Sequence, residues 1–260
     1  MAALFDLSGR VAIVTGGNGG IGLGMAEALA GSGCAVSIWG RNADKNAAAV
    51  TRLKATGGLV SARICDVADR SAVEEAFAAT LAEFGRVDGL FANAGITGPT
   101  KGPFIDRDMG DWRTVMTANV EGVAHCFQLA ARHMVERAKA GDPFGRLVAT
   151  SSVASIEGAA YNEHYGASKG ALNAFVRAIA VELARHGITA NTILPGWIET
   201  DMTAKALADE KFVKAVAPRI PVRRFGTPAD FGGMAVFLMS RSSAYMTGQT
   251  LVIDGGYSIF

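Results

Sequence analysis

The stretch Arg10–Gly22, RVAIVTGGNGGIG, decides the fold. Arg10–Thr15 is short, apolar and β-branched, and reads as a strand buried on both faces. A glycine-dense turn follows at Gly16–Gly22, and helical apolar spacing runs from Ile21 to Ser32. A strand, a glycine turn and a helix N-terminus together make an anion site. Backbone N–H groups and the helix dipole favour a phosphate there, and glycine lets the backbone approach it. Two registers fit: Gly17-x-Gly19-x-x-Gly22 matches the dinucleotide fingerprint, and Gly16-x-x-x-Gly20-x-Gly22 matches a wider variant. The bland alternative is a plain tight turn.

Outward from this stretch, apolar runs and helical patterns alternate to the end of the chain. Ala35–Trp39, Leu59–Ile64, Gly89–Ala92, Leu147–Thr150, Ile188–Leu194 and Thr250–Ile253 read as further strands. Ala43–Thr56, Ser71–Phe84, Asp111–Lys139, His164–His186 and Pro228–Ser240 carry helix spacing. This alternation predicts an α/β doubly wound parallel sheet with helices on both faces. No repeat, linker or compositional break divides the 260 residues, so 1–260 is expected to form one domain. The less regular segment 196–228 is expected to be a substrate-lid excursion.

Composition removes several function classes. Twenty-five basic and 24 acidic residues leave a net charge of +1, which implies no general attraction to nucleic acid or an anionic membrane. Cys34, Cys65 and Cys126 have no CxxC or Cys/His spacing. They read as buried thiols in a reducing compartment, and no metal site is expected. The start MAALFDLSGRVAIV lacks a basic n-region and a cleavage site, and no membrane-length apolar run occurs. A soluble cytoplasmic protein is expected.

The strand ends carry the candidate site. An acid after the second strand would bind a ribose 2′-hydroxyl, and an arginine there accommodates a 2′-phosphate. The sequence is Ile38-Trp-Gly-Arg41, which favours NADP(H), although NAD(H) is not excluded and the glycine loop offers no second basic residue. Asp44 comes later and reads as a first-turn helix acid. Asp66, ending the third strand beside Val67, either receives an adenine amino group or caps the next helix. Asn93, with Ala94 and Gly95, either ties its loop to a neighbouring strand or touches the ribose. Asn119 falls inside a helix, where asparagine competes with backbone hydrogen bonds, so it either bends the helix and exposes a carbonyl that seats a water beside Lys169, or faces solvent or an oligomer contact.

Tyr165 and Lys169 stand at i and i+4, with Ser152 thirteen residues ahead of the tyrosine. A lysine beside a phenol pulls its pKa of about 10 toward neutrality and makes it a general acid or base. The bland reading is a surface tyrosine and a solvated lysine. Pro195-Gly196 makes a small rigid corner after the sixth strand. Thr200 offers a hydroxyl to a phosphate or carboxamide, or caps a helix beginning near Met202.

In order along the chain, Thr15-Gly-x-x-x-Gly20-Ile21-Gly22, Asp66, Asn93-Ala-Gly95, Asn119, Ser152, Tyr165-x-x-x-Lys169, Pro195-Gly196 and Thr247–Gly256 cover nearly its whole length. Together they resemble the short-chain dehydrogenase/reductase family. Ala92 departs from it, since the family often has a second asparagine there. The resemblance implies a Rossmann sheet of about seven strands and hydride transfer between a nicotinamide and a ketone or secondary alcohol. By carry-over, Tyr165 exchanges the proton, Ser152 holds the substrate oxygen, Lys169 lowers the tyrosine pKa and bonds the nicotinamide ribose, and Asn119 positions a relay water. Thr15, Gly16, Asn18, Gly20, Ile21, Gly22, Arg41, Asp66, Val67, Asn93, Ala94, Gly95, Pro195, Gly196, Ile198 and Thr200 would line the cofactor. The family is commonly tetrameric, and the apolar tail Tyr257–Phe260 reads as a buried end.

Gly95–Thr97, Val153–Glu157, Tyr161 and the lid after Trp197 should line the substrate pocket. Ile96, Ile156, Tyr161, Trp197 and Met202 suggest an apolar to amphipathic ketone or alcohol. Ser152, Ala154, Glu157, Tyr161 and Trp197 are the expected substrate contacts. His164 reads as a helix-start residue, and Arg223-Arg224 as structural arginines rather than a receptor for an acidic carrier. Within the family, a 3-oxoacyl-carrier-protein reductase and a sugar-acid or cyclic-alcohol dehydrogenase remain alternatives. A silent dinucleotide-binding regulator has no chemical need for Ser152, Tyr165, Lys169 and Asn119 together. A methyltransferase, which uses a similar glycine loop, leaves Tyr165 and Lys169 without a purpose.

Overall fold

The computed structural model describes residues 4–99 and 102–260. Its strands are β1 (Val11–Thr15), β2 (Ala35–Gly40), β3 (Val60–Ile64), β4 (Gly89–Ala92), β5 (Gly145–Thr150), β6 (Ile188–Pro195) and β7 (Thr250–Ile253). They form one seven-stranded sheet in the order β3-β2-β1-β4-β5-β6-β7, with every pair parallel. The order reverses between β1 and β4. In open α/β sheets that crevice, at the carboxyl ends of the strands, is where ligands bind.

The period-2 alternation of the strands feeds two cores. Ile13, Leu90, Leu147 and Ala149 point to one face, where they meet Val73 and Phe77 of α3 (Arg70–Phe84), Phe127 and Met134 of α5 (Gly122–Lys139), and Leu172 and Val176 of α6 (Glu163–Leu183). Ala12, Val14, Phe91 and Val148 point to the other. There they meet Met25 and Leu29 of α1 (Gly20–Gly31), Ala49 and Leu53 of α2 (Ala43–Lys54), and Leu238 of α9 (Gly232–Met239). A fully buried side chain of this size contributes about 1.5–3 kcal/mol. The doubly wound expectation therefore holds in detail: both faces of the sheet are covered.

Local chemistry sets the helix ends. Asn42 accepts from Lys45 N and starts α2, while Asp69 accepts from Ser71 N and Ala72 N and starts α3, which closes on Gly85 in the left-handed region. The pattern expected as one helix over Asp111–Lys139 begins earlier, at α4 (Met109–Met116), and passes through a π turn at Thr117–Glu121 into α5. The Pro228 end is also irregular: a 3-10 turn, Pro228–Phe231, carries a Thr227/Asp230 capping box ahead of α9.

The excursion after β6 holds two short helices, α7 (Ala204–Leu207) and α8 (Glu210–Val216). A small cluster of Val216, Ile220 and Tyr257, with Trp197, Phe212 and Phe225 against it, lies beneath them. Within the single chain the tail Tyr257–Phe260 is buried only at its first residue. Ile259 is 88% and Phe260 72% exposed, because the chain leaves the small cluster after the tyrosine.

At the opposite end of the sheet from the switch-point crevice, Asp88 has no exposure. It accepts from Val11 N at 3.0 Å and pairs with Arg10, Arg86 and Arg137 at 3.1, 2.6 and 3.0 Å. Burial pushes its pKa upward, but the Arg86 hydrogen bond, Arg137 and the Val11 amide outweigh it and hold the carboxyl below its ordinary value. A depressed folded pKa means stability that is present above the unfolded value and lost as pH falls through the folded one. Asp88→Ala leaves three half-buried guanidinium groups without their shared anion. It should cost about 3–5 kcal/mol in urea unfolding at neutral pH. The wild-type advantage over the variant should shrink below about pH 4. A variant that unfolds with the wild type would show that this network does not hold the sheet.

Candidate active site

Hydrogen bonds across the switch point join β1, β4 and β5. Thr15 Oγ1 accepts from the amides of Asn93 and Ala94, both at 3.0 Å. Asn93 Nδ2 donates to Thr15 O at 3.2 Å, and its Oδ1 accepts from Thr150 Oγ1 at 3.2 Å. Asn93 therefore ties its loop to neighbouring strands. Gly16 sits at φ +63°, and its N–H donates to Trp39 O at 2.7 Å. A Cβ at Gly22 would lie 2.3 Å from Gly16 O and 2.5 Å from Asn93 Nδ2. The loop can thus fold under α1 only with glycine at that position. No side chain caps α1, and a Cβ at its N-cap, Gly19, would meet nothing within 4 Å. Open space over an uncapped helix start fits a dinucleotide phosphate.

The neighbouring side of the crevice is built from the ends of β2 and β3. Asn18 Nδ2 donates to Asn46 Oδ1 at 2.7 Å, and Asn46 Nδ2 donates to Gly40 O at 2.9 Å and to Arg63 O at 3.1 Å. Buried Asn46 thus pins the glycine loop, β2 and β3 together. It was not foreseen. Its signal in the sequence is a polar residue on the face of α2 that also buries Ala49 and Leu53. Arg41 is largely exposed and stands 3.6 Å from Asp66 Oδ2. The capping alternative for Asp66 is corrected: β3 stops at Ile64 and Asp69 caps α3. Asp66 instead accepts from Ala68 N at 3.1 Å, beside buried Val67.

On the catalytic side, Asn119 lies in the π turn and is fully buried, which removes the solvent-facing alternative. Its Oδ1 accepts from Ile96 N and its Nδ2 donates to Ile96 O, both at 2.8 Å, and Nδ2 also donates to Ser168 Oγ at 3.0 Å. A Cβ on Gly95 would lie 3.1 Å from Asn119 Oδ1 and 3.4 Å from Lys169 Nζ. Gly95 therefore lets the β4 loop pass close to both. Lys169 is buried and its Nζ donates to Thr150 O at 2.7 Å. Burial lowers its pKa to about 8. The ammonium is 5.6 Å from the centre of the Tyr165 ring.

One expectation is corrected at this point. Tyr165 does not carry a lysine-lowered pKa: burial pushes its phenol up, and the hydrogen bond with Ser152 works against that. Spacing brought Lys169 to the right face, but desolvation acts on both groups and disfavours both charged forms. Ser152 is buried and accepts from Ala154 N at 3.1 Å, which aims its hydroxyl from the β5 loop.

Downstream, Gly196 N donates to Ile253 O at 3.0 Å, and a Cβ there would sit 2.6 Å from Asp254 Cβ, so Pro195-Gly196 is a tight corner against β7. Ile198 is buried and bridges Gly226. Thr200 is not a helix cap, since α7 starts at Ala204 and Thr203 precedes it. Thr200 N donates to Thr203 Oγ1 at 3.1 Å, and Thr200 Cγ2 stands 3.2 Å from a Cβ built on Gly20, over the glycine loop.

The expected substrate contacts scatter more. Ala154 and Glu157 line a groove of about 700 Å³ with Gly166, Ala167 and Gly170, on a face of α6 turned away from Tyr165 and Lys169. Trp197 packs edge-on against Phe212, with centroids 4.7 Å apart, inside the small cluster. Tyr161 is exposed at φ +63°, and its carbonyl accepts from Arg107 at 2.8 Å. Arg107 also reaches Pro99 O at 2.7 Å and Glu163, so it joins the loop after β4 to the start of α6. No spacing pattern marked it. His164 is the second residue of α6 and is fully buried, with Nε2 2.9 Å from a Cβ position on Gly98, and burial lowers its pKa. Arg224 pairs with Asp230, and Arg223 Nη1 donates to Pro218 O at 2.9 Å, as structural arginines would. All three cysteines are free and buried, and burial raises their thiols, Cys65 to about 12. Among the described residues, no helix is long and apolar enough to cross a membrane.

Comparison with known proteins places this geometry. A family profile described as enoyl-(acyl carrier protein) reductase matches residues 16–258. Gluconate 5-dehydrogenase of Gluconobacter oxydans is 37% identical over 98% of this chain and 97% of its own. A short-chain type dehydrogenase/reductase from Mycobacterium marinum superposes with a TM-score of 0.91 at 33% identity, covering 99% of this chain and 98% of that one. A gluconate 5-dehydrogenase from Burkholderia cenocepacia, solved with NADP and tartrate, gives 0.90 at 34% identity over 98% and 97%. Fold and site define a dinucleotide-dependent oxidoreductase. The chain belongs to the short-chain dehydrogenase/reductase family, enzymes that move a hydride between a nicotinamide and a carbonyl or alcohol carbon.

The glycine loop supplies a sharp test. In Gly22→Ala the added methyl meets backbone at 2.3 Å, so the loop must shift. Overpacking of this kind costs about 1–3 kcal/mol. Thermal unfolding should show that loss, and titration with NADPH should show affinity lost as well. Unchanged affinity would mean that the phosphate lies elsewhere.

Proposed function

We propose that this protein is an NADP(H)-preferring carbonyl reductase, running in reverse as a secondary-alcohol dehydrogenase, with Tyr165 as the proton donor and acceptor. The observation that carries the reading is the buried Lys169, which donates to Thr150 O, lies against Gly95 and stands 5.6 Å from the Tyr165 ring, with Ser152 buried just after β5. When bound, the nicotinamide supplies or accepts the hydride. Ser152 would hold the substrate oxygen, Tyr165 would give it a proton, and the Lys169 ammonium would bond the nicotinamide ribose. Asn119 positions the water through which that proton is replaced.

Arg41 supports the preference for NADP(H), because its fork suits a 2′-phosphate and no carboxylate of β2 competes with it. The exposed apolar side chains of Ile156, Tyr161 and Met202 support an apolar to amphipathic ketone. The gluconate dehydrogenases among the relatives support a sugar acid as the second reading. We place the chain as one catalytic domain, 196–228 as its substrate lid, in the cytoplasm, and as a homotetramer. The small outer face of α6 at Gly166, Ala167 and Gly170, the half-exposed β7 and the exposed tail support such an assembly.

Tyr165→Phe keeps the ring and removes the proton. Turnover should fall about 10²–10⁴-fold, with NADPH affinity unchanged. Full activity in that variant excludes the mechanism. Arg41→Ala should narrow the NADPH-over-NADH preference by about 10–100-fold, as expected for loss of a charge-assisted contact. An NADH-selective wild type would show the ribose argument wrong. A spectrophotometric screen of ketones, sugar acids and β-ketoacyl thioesters with NADPH decides among the substrate classes.

A further inference from the structure

Two cations stand just beyond β2, in the loop and the first turn of α2, each held by a carboxylate from a different loop. Arg41 faces Asp66 at 3.6 Å. Lys45, in the first turn of α2, places Nζ 2.6 Å from Asp201 Oδ2, on the excursion after β6. The frame around this second pair is fixed. Lys45 N donates to the Asn42 cap at 2.8 Å, and the next residue, Asn46, is bonded to Asn18 of the glycine loop. On the other side, Asp201 follows Thr200, whose methyl lies over Gly20. The Lys45–Asp201 bridge therefore runs from α2 to the excursion beside the glycine loop. Both side chains are largely exposed, so the pair is weak in water and exchangeable.

We propose that Lys45 is a second cation for the adenosine 2′-phosphate and that Asp201 competes with that phosphate for it. The inference rests on the NADP(H) reading above. A phosphate dianion binds an ammonium more strongly than one exposed carboxylate does, so the 2′-phosphate draws Lys45 away from Asp201. A cofactor with a plain 2′-hydroxyl leaves the bridge in place. The pair thereby reports the 2′ substituent to the segment that carries Thr200 and leads into α7.

Direct binding tests this without turnover, because both residues are on the surface and their variants keep the fold. The full chain is titrated at fixed ionic strength with NADPH, NADH, adenosine 2′,5′-bisphosphate and 5′-AMP. Lys45→Gln should weaken NADPH and the bisphosphate about tenfold, the scale of one lost charge-assisted contact, and leave NADH and 5′-AMP unchanged. Asp201→Asn should act in the opposite direction, tightening NADPH and the bisphosphate severalfold with NADH unmoved. Hydrogen exchange over residues 200–208 should rise with NADPH more than with NADH in the wild type, and alike with both in Asp201→Asn. Equal losses for both cofactors in Lys45→Gln, no loss in that variant, or weaker NADPH binding in Asp201→Asn each overturn the proposal. Failure of the parent reading looks different: wild type and Arg41→Ala would then bind NADPH and NADH alike. If Arg41→Ala narrows the preference while Lys45→Gln does not, only the present inference falls.

Discussion

The site depends on a splice made by one amide. Where β1 and β4 diverge, their last backbone groups lose their ladder partners, and buried groups of that kind must find others. Asn93 meets the need with one donor and one acceptor, giving its Nδ2 to Thr15 O and taking a bond from Thr150 Oγ1. Thr15 returns two bonds to the β4 loop. Three strand ends become one platform, and the phosphate loop, the Gly95 turn and the Ser152 loop are fixed relative to one another through it. Everything chemical in the molecule sits on that platform.

The sheet was legible because its signals are local. Gly89–Ala92 and Thr250–Ile253 have the bounds their apolar runs suggest, and the other strands shift by a residue or two. The residues proposed as catalytic were legible as a constellation, since Tyr165 and Lys169 share a helix face and Asn119 is misplaced in an ordinary helix. What stayed hidden is what the third dimension supplies. Ser168 as the partner of Asn119, Asn46 as the pin beneath the glycine loop and Arg107 as a clamp have no partner near them in sequence. The direction of the Tyr165 pKa stayed hidden for the same reason: spacing shows a nearby charge, whereas desolvation depends on everything packed around it.

Chemistry and stability occupy opposite ends of the same strands. At the carboxyl ends, exposed charges such as Arg41 and Asp66 are exchangeable with a ligand. At the amino ends, Asp88 is sealed beneath three arginines, and Phe144 lies against the guanidinium groups of Arg10 and Arg146 at 3.8 and 4.1 Å. A loop can change at the first end without loosening the second, which is the arrangement a shared scaffold with many substrates requires.

The strand order also dictates a history. During synthesis β1 and β2 are available early, yet the inner edge of β1 has to wait for β4, and the contacts between Thr15 and Asn93 span 78 residues. Until then a largely apolar strand presents unpaired backbone to its surroundings, a template for wrong partners. Long-range parallel pairing is slow because chain entropy is lost before the contact is gained. The edge of β1 that most needs covering is thus the one closed by β4, the same strand end that ties the glycine loop to its neighbours.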